Sequence, residues 1–325
     1  MAVFTVVTDE EVRSLLHQYE IGSLIKLTGI SAGIENTNYF LDTSNGHFVL
    51  TIFEVLTAQQ LPFYVELMHC LASREVPVPM PQTRSDGQRI STLQGKPAII
   101  VTKLPGQWVK HPTVKHCNLA AQTMARAHLA AQDFGIHQPN LRGLSWWQTT
   151  APVVTPYLSI EQSNLLQTAL AEQIELSQSG VLESLPYGPA HCDYFRDNVL
   201  FAGSDHEPTM GGVIDFYFAG CDYWVFDLAV AINDWCIDIT TGEFFVEHVT
   251  SWLEAYQRIR PLSEQERLVW PQMLRAAALR FWISRLYDYH LPRPAQTLTP
   301  HDPYHFERIL KLRFEQPAPH IPEVS

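Results

Sequence analysis

Hydrophobic residues recur with two different periods along this chain. In the first hundred residues they alternate with polar residues or form short runs, which predicts five strands, over 25–31, 38–42, 48–53, 89–92 and 97–103. Residues 44–46 are a hairpin turn between the second and third of these strands. Two helices are also expected here. A capping-box pattern begins one at Thr8, and a second extends over about 57–73.

Beyond residue 105 the period is mainly helical. Helices are predicted over 113–134, 159–185, 226–238, 244–260 and 263–289. Two short strands, over 199–202 and 210–216, form a predicted hairpin between them. Leu104-Pro105-Gly106 breaks the pattern, so we expect two domains, 1–104 and 105–325. The proline-rich segment 316–322 is expected to fray.

Composition indicates a globular cytoplasmic protein. Hydrophobic residues make up 46% of the 325 and charged residues 17%, which excludes general disorder. The net charge of −12 argues against binding to nucleic acid or to anionic membranes. The chain contains no apolar run of about 18 residues and no signal-peptide pattern at its start. Its five cysteines, without a C-x-x-C pair, are expected to be reduced thiols.

The candidate chemistry lies in the segment His191-x-Asp193-x-x-x-x-Asn198, followed after the predicted hairpin by Asp215. This is the spacing of a kinase catalytic loop and its metal-binding aspartate. An aspartate can accept the proton of an attacking hydroxyl, and amide and carboxylate oxygens are ligands that suit Mg²⁺. We therefore expect Asp193 to be the base and Asn198 and Asp215 to hold the metal, with His191 ordering the loop.

Three other interpretations of this segment remain. His191, Asp193 and Asp215 could ligate the metal of a hydrolase, although no second histidine stands at helical spacing. Cys192 could act as a nucleophile beside His191. The same residues could also belong to a solvated loop without any catalytic role.

With this segment in place, the predicted elements have the plan of the protein-kinase-like fold. It is an α+β fold of two lobes, with a five-stranded antiparallel sheet and one helix in the N-terminal lobe and a mainly helical C-terminal lobe. The chain resembles the aminoglycoside phosphotransferase and choline kinase group, and within it the bacterial homoserine kinases. The segments that carry the resemblance are 33–40, 48–51, 61–63, 76–79, 191–198, 233–236 and 278–282.

The resemblance implies an ATP- and Mg²⁺-dependent kinase. It implies transfer of the γ-phosphoryl group of ATP to the side-chain hydroxyl of L-homoserine, a step towards threonine. It makes Asp193 the base and aligns Glu66 with the helix glutamate that normally pairs with a strand lysine. Two positions depart from the common pattern. Thr51 replaces the phosphate-binding lysine, and Cys192 stands where this group usually has glycine.

The remaining site residues fall into three groups. For the nucleotide we expect the loop and strand residues Gly33, Asn36, Thr37, Asn38 and Thr51, with Lys103 and Leu104 offering backbone groups to the adenine. Arg196 is expected to neutralise charge on the transferred group. For a zwitterionic acceptor, the candidates are Asp234 for the ammonium and Arg280 for the carboxylate, together with Trp235, Asp238 and Trp282.

Alternatives remain open for the function itself. The acceptor could be choline, methylthioribose or an aminoglycoside, and the absence of the lysine at Thr51 is compatible with an inactive nucleotide-binding pseudokinase. A protein kinase is disfavoured, because the glycine of D-F-G is missing after Phe216 and no A-P-E segment follows.

Overall fold

The computed structural model describes residues 4–30, 36–292 and 301–323. These residues divide into two compact units. The first consists of the chain up to Pro105 together with Gly212–Ile214, and the second of Gly106–Gly211 with the chain from Asp215 onwards.

The first unit is built on an antiparallel sheet of five strands in the order β1-β2-β3-β5-β4. Its elements are α1 (Asp9–Leu16), β1 (Leu24–Gly29), β2 (Asn36–Thr43), β3 (Gly46–Phe53), α2 (Leu61–Ser73), β4 (Ser91–Leu93) and β5 (Lys96–Thr102). The predicted sheet and α+β class are confirmed.

The register of this sheet decides which side chains share a face. Ile52 lies opposite Ala98 and Thr37, and these positions belong to the face whose apolar residues pack with α1. Thr51 lies opposite Asn38, and because side chains alternate along a strand, this pair points to the other face. Consecutive residues of β2, and likewise of β3, therefore point to opposite faces of the sheet, and only one of these faces packs against α1.

The rest of the chain is mainly helical. Its elements are α3 (Val114–Ala130), α4 (Leu144–Val154), α5 (Ile160–Gln178), β6 (Tyr187–Ala190), β7 (Val199–Gly203), β8 (Pro208–Val213), β9 (Gly220–Tyr223), α6 (Trp224–Trp235), α7 (Val246–Gln257), α8 (Glu264–His290) and α9 (Tyr304–Glu315). Strands β6 and β9 pair with each other, as do β7 and β8. Among the described residues, no helix is both long and apolar enough to cross a membrane.

Several elements differ from the prediction. Helices α4 and α9 and the β6–β9 pair were not predicted, and the helix expected to reach residue 185 ends at Gln178, before Gly180 with its left-handed φ of 78°. The prediction that the proline-rich segment frays is wrong. Ile321 is buried, and the Pro319 and Pro322 carbonyls accept hydrogen bonds from Trp270 and Gln257.

Candidate active site

The loop that follows β6 is held by a buried carboxylate. The backbone N–H groups of His191 and Cys192 donate to Asp227 on α6, at 3.2 and 2.7 Å. Cys192 adopts a left-handed φ of 60°, a region in which L-residues other than glycine are strained. The two hydrogen bonds therefore fix an unfavourable conformation immediately before Asp193. The left-handed φ also explains why glycine would suit position 192.

Asn198 is oriented by Asp193. Its Nδ2 donates to the Asp193 carbonyl at 2.9 Å and to the Asp193 carboxylate at 3.2 Å, so the amide oxygen is directed away from these groups. Asn198 directly precedes β7, and Asp215 follows β8 with a φ of 62°. The short connection makes β7 and β8 an antiparallel hairpin, so both residues lie at its open end. One amide oxygen and one carboxylate are a donor set that fits Mg²⁺.

Asp193 lies in the electric field of a buried arginine. Burial raises the pKa of Asp193, and the charge of Arg280 opposes this rise. Arg280 on α8 is only 3% exposed, and its Nε has no hydrogen-bond partner among the described residues. Its guanidinium lies 3.9 Å from the ring centroid of Phe281. Burial lowers the Arg280 pKa to about 10. A desolvated cation without a full set of partners suits an anionic ligand.

A second guanidinium, that of Arg285 on α8, also lies near this aspartate. Burial lowers the pKa of Arg285, and the charges of Asp234, Asp193 and Asp197 oppose this effect. The guanidinium stacks 4.5 Å from the ring centroid of Phe306 on α9. From the sequence, Arg280 rather than Arg285 was chosen for the carboxylate, and the contact of Arg285 with Phe306 depends on α9, a helix that the pattern did not predict.

Arg196 and Asp234 bind each other. The backbone N–H and Nε of Arg196 donate to the Asp234 carboxylate at 2.8 and 3.0 Å. Another guanidinium nitrogen donates to the Lys110 carbonyl at 3.0 Å, and the last to the Asp234 carbonyl. Every guanidinium nitrogen thus has a protein acceptor. These contacts favour a structural role for the pair over the predicted contacts with the transferred group and the ammonium.

The other predicted acceptor residues also have structural surroundings. Asp238 accepts hydrogen bonds from the backbone N–H groups of Thr240 and Thr241 at 2.7 and 3.2 Å, and so closes the turn after α6. Trp235 is buried and donates to the Tyr194 carbonyl at 2.9 Å. Trp282 is completely buried in the core. Hydrogen bonds within the protein thus account for Asp238 and Trp235, whereas the buried Nε1 of Trp282 has no hydrogen-bond partner among the described residues.

The predicted nucleotide residues of β2 and β3 separate onto the two faces of the sheet. Thr51 donates to the Asn38 side-chain oxygen at 2.8 Å. Thr37 lies on the opposite face, where it donates to Glu54 at 2.6 Å and accepts from the backbone of Thr5. This hydroxyl is therefore engaged within the protein.

Three further residues predicted to contact the nucleotide lie in different parts of the chain. Asn36 is buried at the start of β2. Gly33 lies outside the described residues. Leu104 is half-buried just beyond the end of β5. Leu104 and the β2 residues remain candidates for nucleotide contacts.

Glu66 and Lys103 have partners in the first unit. Glu66 accepts two hydrogen bonds of 2.9 Å from Arg89, so its cation comes from the segment before β4 rather than from β3. The backbone N–H of Lys103 donates to the His47 carbonyl at 3.0 Å, and its ammonium lies 4.4 Å from the ring centroid of Phe40. The backbone N–H that Lys103 was predicted to offer to the adenine thus already donates a hydrogen bond within the first unit.

Two of the alternative site chemistries find no support. Burial raises the pKa of the Cys192 thiol well above its ordinary value, whereas a nucleophilic cysteine needs a lowered one. Within the described residues, no group of three or more His, Cys, Asp or Glu side chains is arranged to hold a metal ion. The hydrolase arrangement of His191, Asp193 and Asp215 is therefore not formed as a three-ligand cluster.

Known proteins are similar to this chain in sequence and in fold. A family model described as "Phosphotransferase enzyme family" matches residues 26–262. The chain belongs to this family. It is an enzyme of the phosphotransferase class. It is 54% identical to a homoserine kinase of Paraburkholderia phymatum, over 96% of this chain and 98% of that protein. It is 52% identical to a homoserine kinase of Burkholderia vietnamiensis, over 99% and 98% of the two chains.

A solved structure supports the same fold family. The amicoumacin kinase hAmiN, in complex with AMP-PNP, Ca²⁺ and its ligand Ami, superposes with a TM-score of 0.67 at 14% identity, covering 95% of this chain and 93% of that one. At this identity the likeness concerns the fold alone, and it confirms the protein-kinase-like architecture.

Proposed function

We propose that this phosphotransferase uses ATP to phosphorylate the side-chain hydroxyl of L-homoserine, giving O-phospho-L-homoserine for threonine biosynthesis. The observation that carries the proposal is the identity of more than half of all residues with homoserine kinases over nearly the whole length of both chains. An arginine close to the candidate base supports an acceptor that carries a carboxylate.

Asp193 is proposed as the base. It takes the proton of the acceptor hydroxyl as that oxygen attacks the γ-phosphorus, the bond to the β,γ-bridging oxygen breaks, and ADP leaves. Burial raises the pKa of Asp193, which strengthens it as a proton acceptor in its ionised form. The hydrogen bond from Asn198 fixes the orientation of its carboxylate.

Asn198 and Asp215 are proposed to hold Mg²⁺, which supplies positive charge to the phosphate oxygens of ATP. The hydrogen bond from Asn198 to Asp193 leaves its oxygen for this purpose. Asn38 and the backbone of Leu104 are proposed nucleotide contacts. Thr51 brings a hydroxyl and no charge, so we assign the charge neutralisation at the phosphates to groups outside β3.

Arg280 is proposed to bind the α-carboxylate of homoserine, with Arg285 as a second cation. The buried guanidinium of Arg280 and the half-buried one of Arg285, both near Asp193, would repel a polycationic aminoglycoside and would find no carboxylate on choline. Because Arg280 stacks on Phe281, its orientation is set before the substrate binds.

The acceptor is tested by ADP release with homoserine, serine, threonine, choline and methylthioribose, each with Mg-ATP. We expect homoserine to give the highest kcat/KM.

Replacing the base, Asp193→Asn, should lower kcat by about 10²-fold or more, the usual contribution of a general base. Asp205→Asn, in the exposed turn between β7 and β8, is the control and should retain activity. If Mg-ATP raises the melting temperature but no acceptor increases ADP release, the pseudokinase alternative is supported.

The role of Arg280 is tested with Arg280→Met, which keeps an unbranched apolar side chain and removes the charge. We expect KM for homoserine to rise about tenfold or more, with KM for ATP within about twofold, since a charge-assisted contact contributes about 1.5–3 kcal/mol. Arg313→Met is the matched control. Arg313 is equally buried but donates to Asn233 at 2.9 Å, so this variant should lose stability and keep its KM. An unchanged KM for homoserine in Arg280→Met would reject the assignment.

A further inference from the structure

A continuous chain of buried hydrogen bonds lies behind the loop that carries Asp193. Arg260 donates to Glu266 at 2.6 Å and to the Tyr256 hydroxyl at 3.1 Å. The Tyr256 hydroxyl is 2.7 Å from His128 Nδ1, and His128 Nε2 is 3.0 Å from Asp227. None of the five residues is more than 5% exposed. The chain thus joins α3, α6, α7 and α8 in the interior of the second unit.

The chemistry of its two ends fixes the direction of every hydrogen bond. An arginine only donates and an ionised carboxylate only accepts. Burial lowers the pKa of His128, which favours the neutral ring. Burial alone would raise the pKa of Asp227, but hydrogen bonds, led by that from His128, bring it below its usual range. His128 therefore carries its proton on Nε2 and donates a hydrogen bond to Asp227, while Nδ1 accepts a hydrogen bond from the Tyr256 hydroxyl.

This series of hydrogen bonds ends at the polypeptide backbone beside the base. Asp227 accepts hydrogen bonds from the backbone N–H groups of His191 and Cys192 and from the ring N–H of His128. These bonds hold Cys192 in its left-handed conformation, and Asp193 follows directly. The orientation of the Asp227 carboxylate thus determines the backbone conformation immediately before Asp193.

We propose that Tyr256 is a positioning residue for phosphoryl transfer, acting through His128 and Asp227 on the backbone that presents Asp193. Tyr256 does not touch the reacting atoms. By holding the His128 ring it sets the rotation of the Asp227 carboxylate, which holds the loop. This inference rests on the proposed role of Asp193 as base.

The sharpest variant is Tyr256→Phe, which removes one oxygen and keeps the ring. It leaves His128 Nδ1 without its hydrogen-bond donor and Arg260 without one of its acceptors, so Asp227 alone holds the imidazole ring. We expect kcat to fall about tenfold or more with both KM values within about twofold, because small displacements of a reacting group are costly. Amide hydrogen exchange at residues 191–193 should accelerate about tenfold.

The control is Tyr19→Phe in the first unit. The Tyr19 hydroxyl is also buried and lies 2.6 Å from Ser91. This variant loses a comparable hydrogen bond, so its melting temperature should fall similarly while kcat and exchange at residues 191–193 stay within twofold of the unmodified protein. A purely stabilising role for Tyr256 would make the two variants alike and would overturn the proposal.

A second pair of variants covers the case in which Tyr256→Phe does not fold. His128→Gln keeps one amide donor for Asp227 and one acceptor for Tyr256, whereas His128→Leu keeps neither. We expect the glutamine variant to retain more kcat and slower exchange than the leucine variant. Equal kcat values, or a lower kcat without faster exchange at residues 191–193, contradict the proposed route. If the unmodified protein does not phosphorylate homoserine, the proposed function fails, and the exchange comparison alone decides this inference.

Discussion

Cys192 combines two opposing requirements in one residue. Its backbone has the left-handed conformation that favours glycine, while its side chain is buried with Ala190 and Trp224. A small thiol fills the core at this position, and two hydrogen bonds to Asp227 hold the strained backbone. Backbone geometry rather than thiol chemistry therefore explains which residues this position tolerates.

Substitutions at this position should separate backbone strain from packing. Cys192→Gly relieves the strain but loses the thiol, so we expect the free energy of unfolding to change by about 1 kcal/mol or less and kcat to be largely kept. Cys192→Val adds a β-branched side chain at a positive φ and should destabilise by about 2–3 kcal/mol. Urea unfolding of both variants measures the difference. Equal stabilities would contradict the role assigned to the backbone.

Helix α8 depends on an N-terminal capping box that its sequence encodes directly. Ser263 accepts the backbone N–H of Glu266 at 3.1 Å, and the Glu266 carboxylate accepts the N–H of Ser263 at 2.9 Å. Glu266 also accepts the hydrogen bond from Arg260. One local motif thus begins the helix that carries Arg280 and anchors the buried chain that leads to Asp227.

Removal of this cap should destabilise the protein. We expect Ser263→Ala to lower the free energy of unfolding by about 1 kcal/mol, the usual effect of losing an N-cap. Ser177→Ala is the matched control. Its hydroxyl donates to the Ile174 carbonyl from an exposed position in the last turn of α5, so removing it should cost no more than about 0.5 kcal/mol. Thermal or urea unfolding compares the two, and a similar loss in both would argue against the capping contribution.

For the whole molecule, ionisable groups that folding buries make stability depend on pH. Burial lowers the pKa of His305 on α9 to about 4. In the unfolded chain a histidine binds a proton below about pH 6.5, so between these values the unfolded state binds more protons than the folded state. Stability is therefore lost as the pH falls through this window. Burial has the opposite effect on Asp222, whose pKa rises to about 6 and favours the folded state at acidic pH.

A single-residue comparison isolates the histidine contribution. Between pH 7.5 and pH 5, we expect the unmodified protein to lose about 1–2 kcal/mol of stability relative to His305→Gln, which cannot titrate. Chemical unfolding of both proteins across this range measures the difference. Parallel curves would show that His305 has a similar pKa in both states.

Features that depend on neighbouring residues were determined by the sequence itself. The hairpin turn before β3, the capping boxes at Thr8 and Ser263 and the spacing of Asp193 and Asn198 are local patterns, and each was recognisable without a structure. The five-stranded sheet and the kinase-like architecture followed from them. Local hydrogen bonding and hydrophobic period are encoded in short windows, and for that reason they were predictable.

Only the tertiary structure decided which distant side chains meet. Charge and spacing suggested Asp234 for the ammonium, and the structure pairs the Asp234 carboxylate with Arg196. The family resemblance aligned Glu66 with the helix glutamate that normally pairs with a strand lysine, whereas the partner of Glu66 here is Arg89. The contact between His128 and Asp227 joins residues 99 positions apart. Such pairs depend on how helices and strands pack, and because many partners satisfy the same local pattern, packing rather than local sequence selects among them.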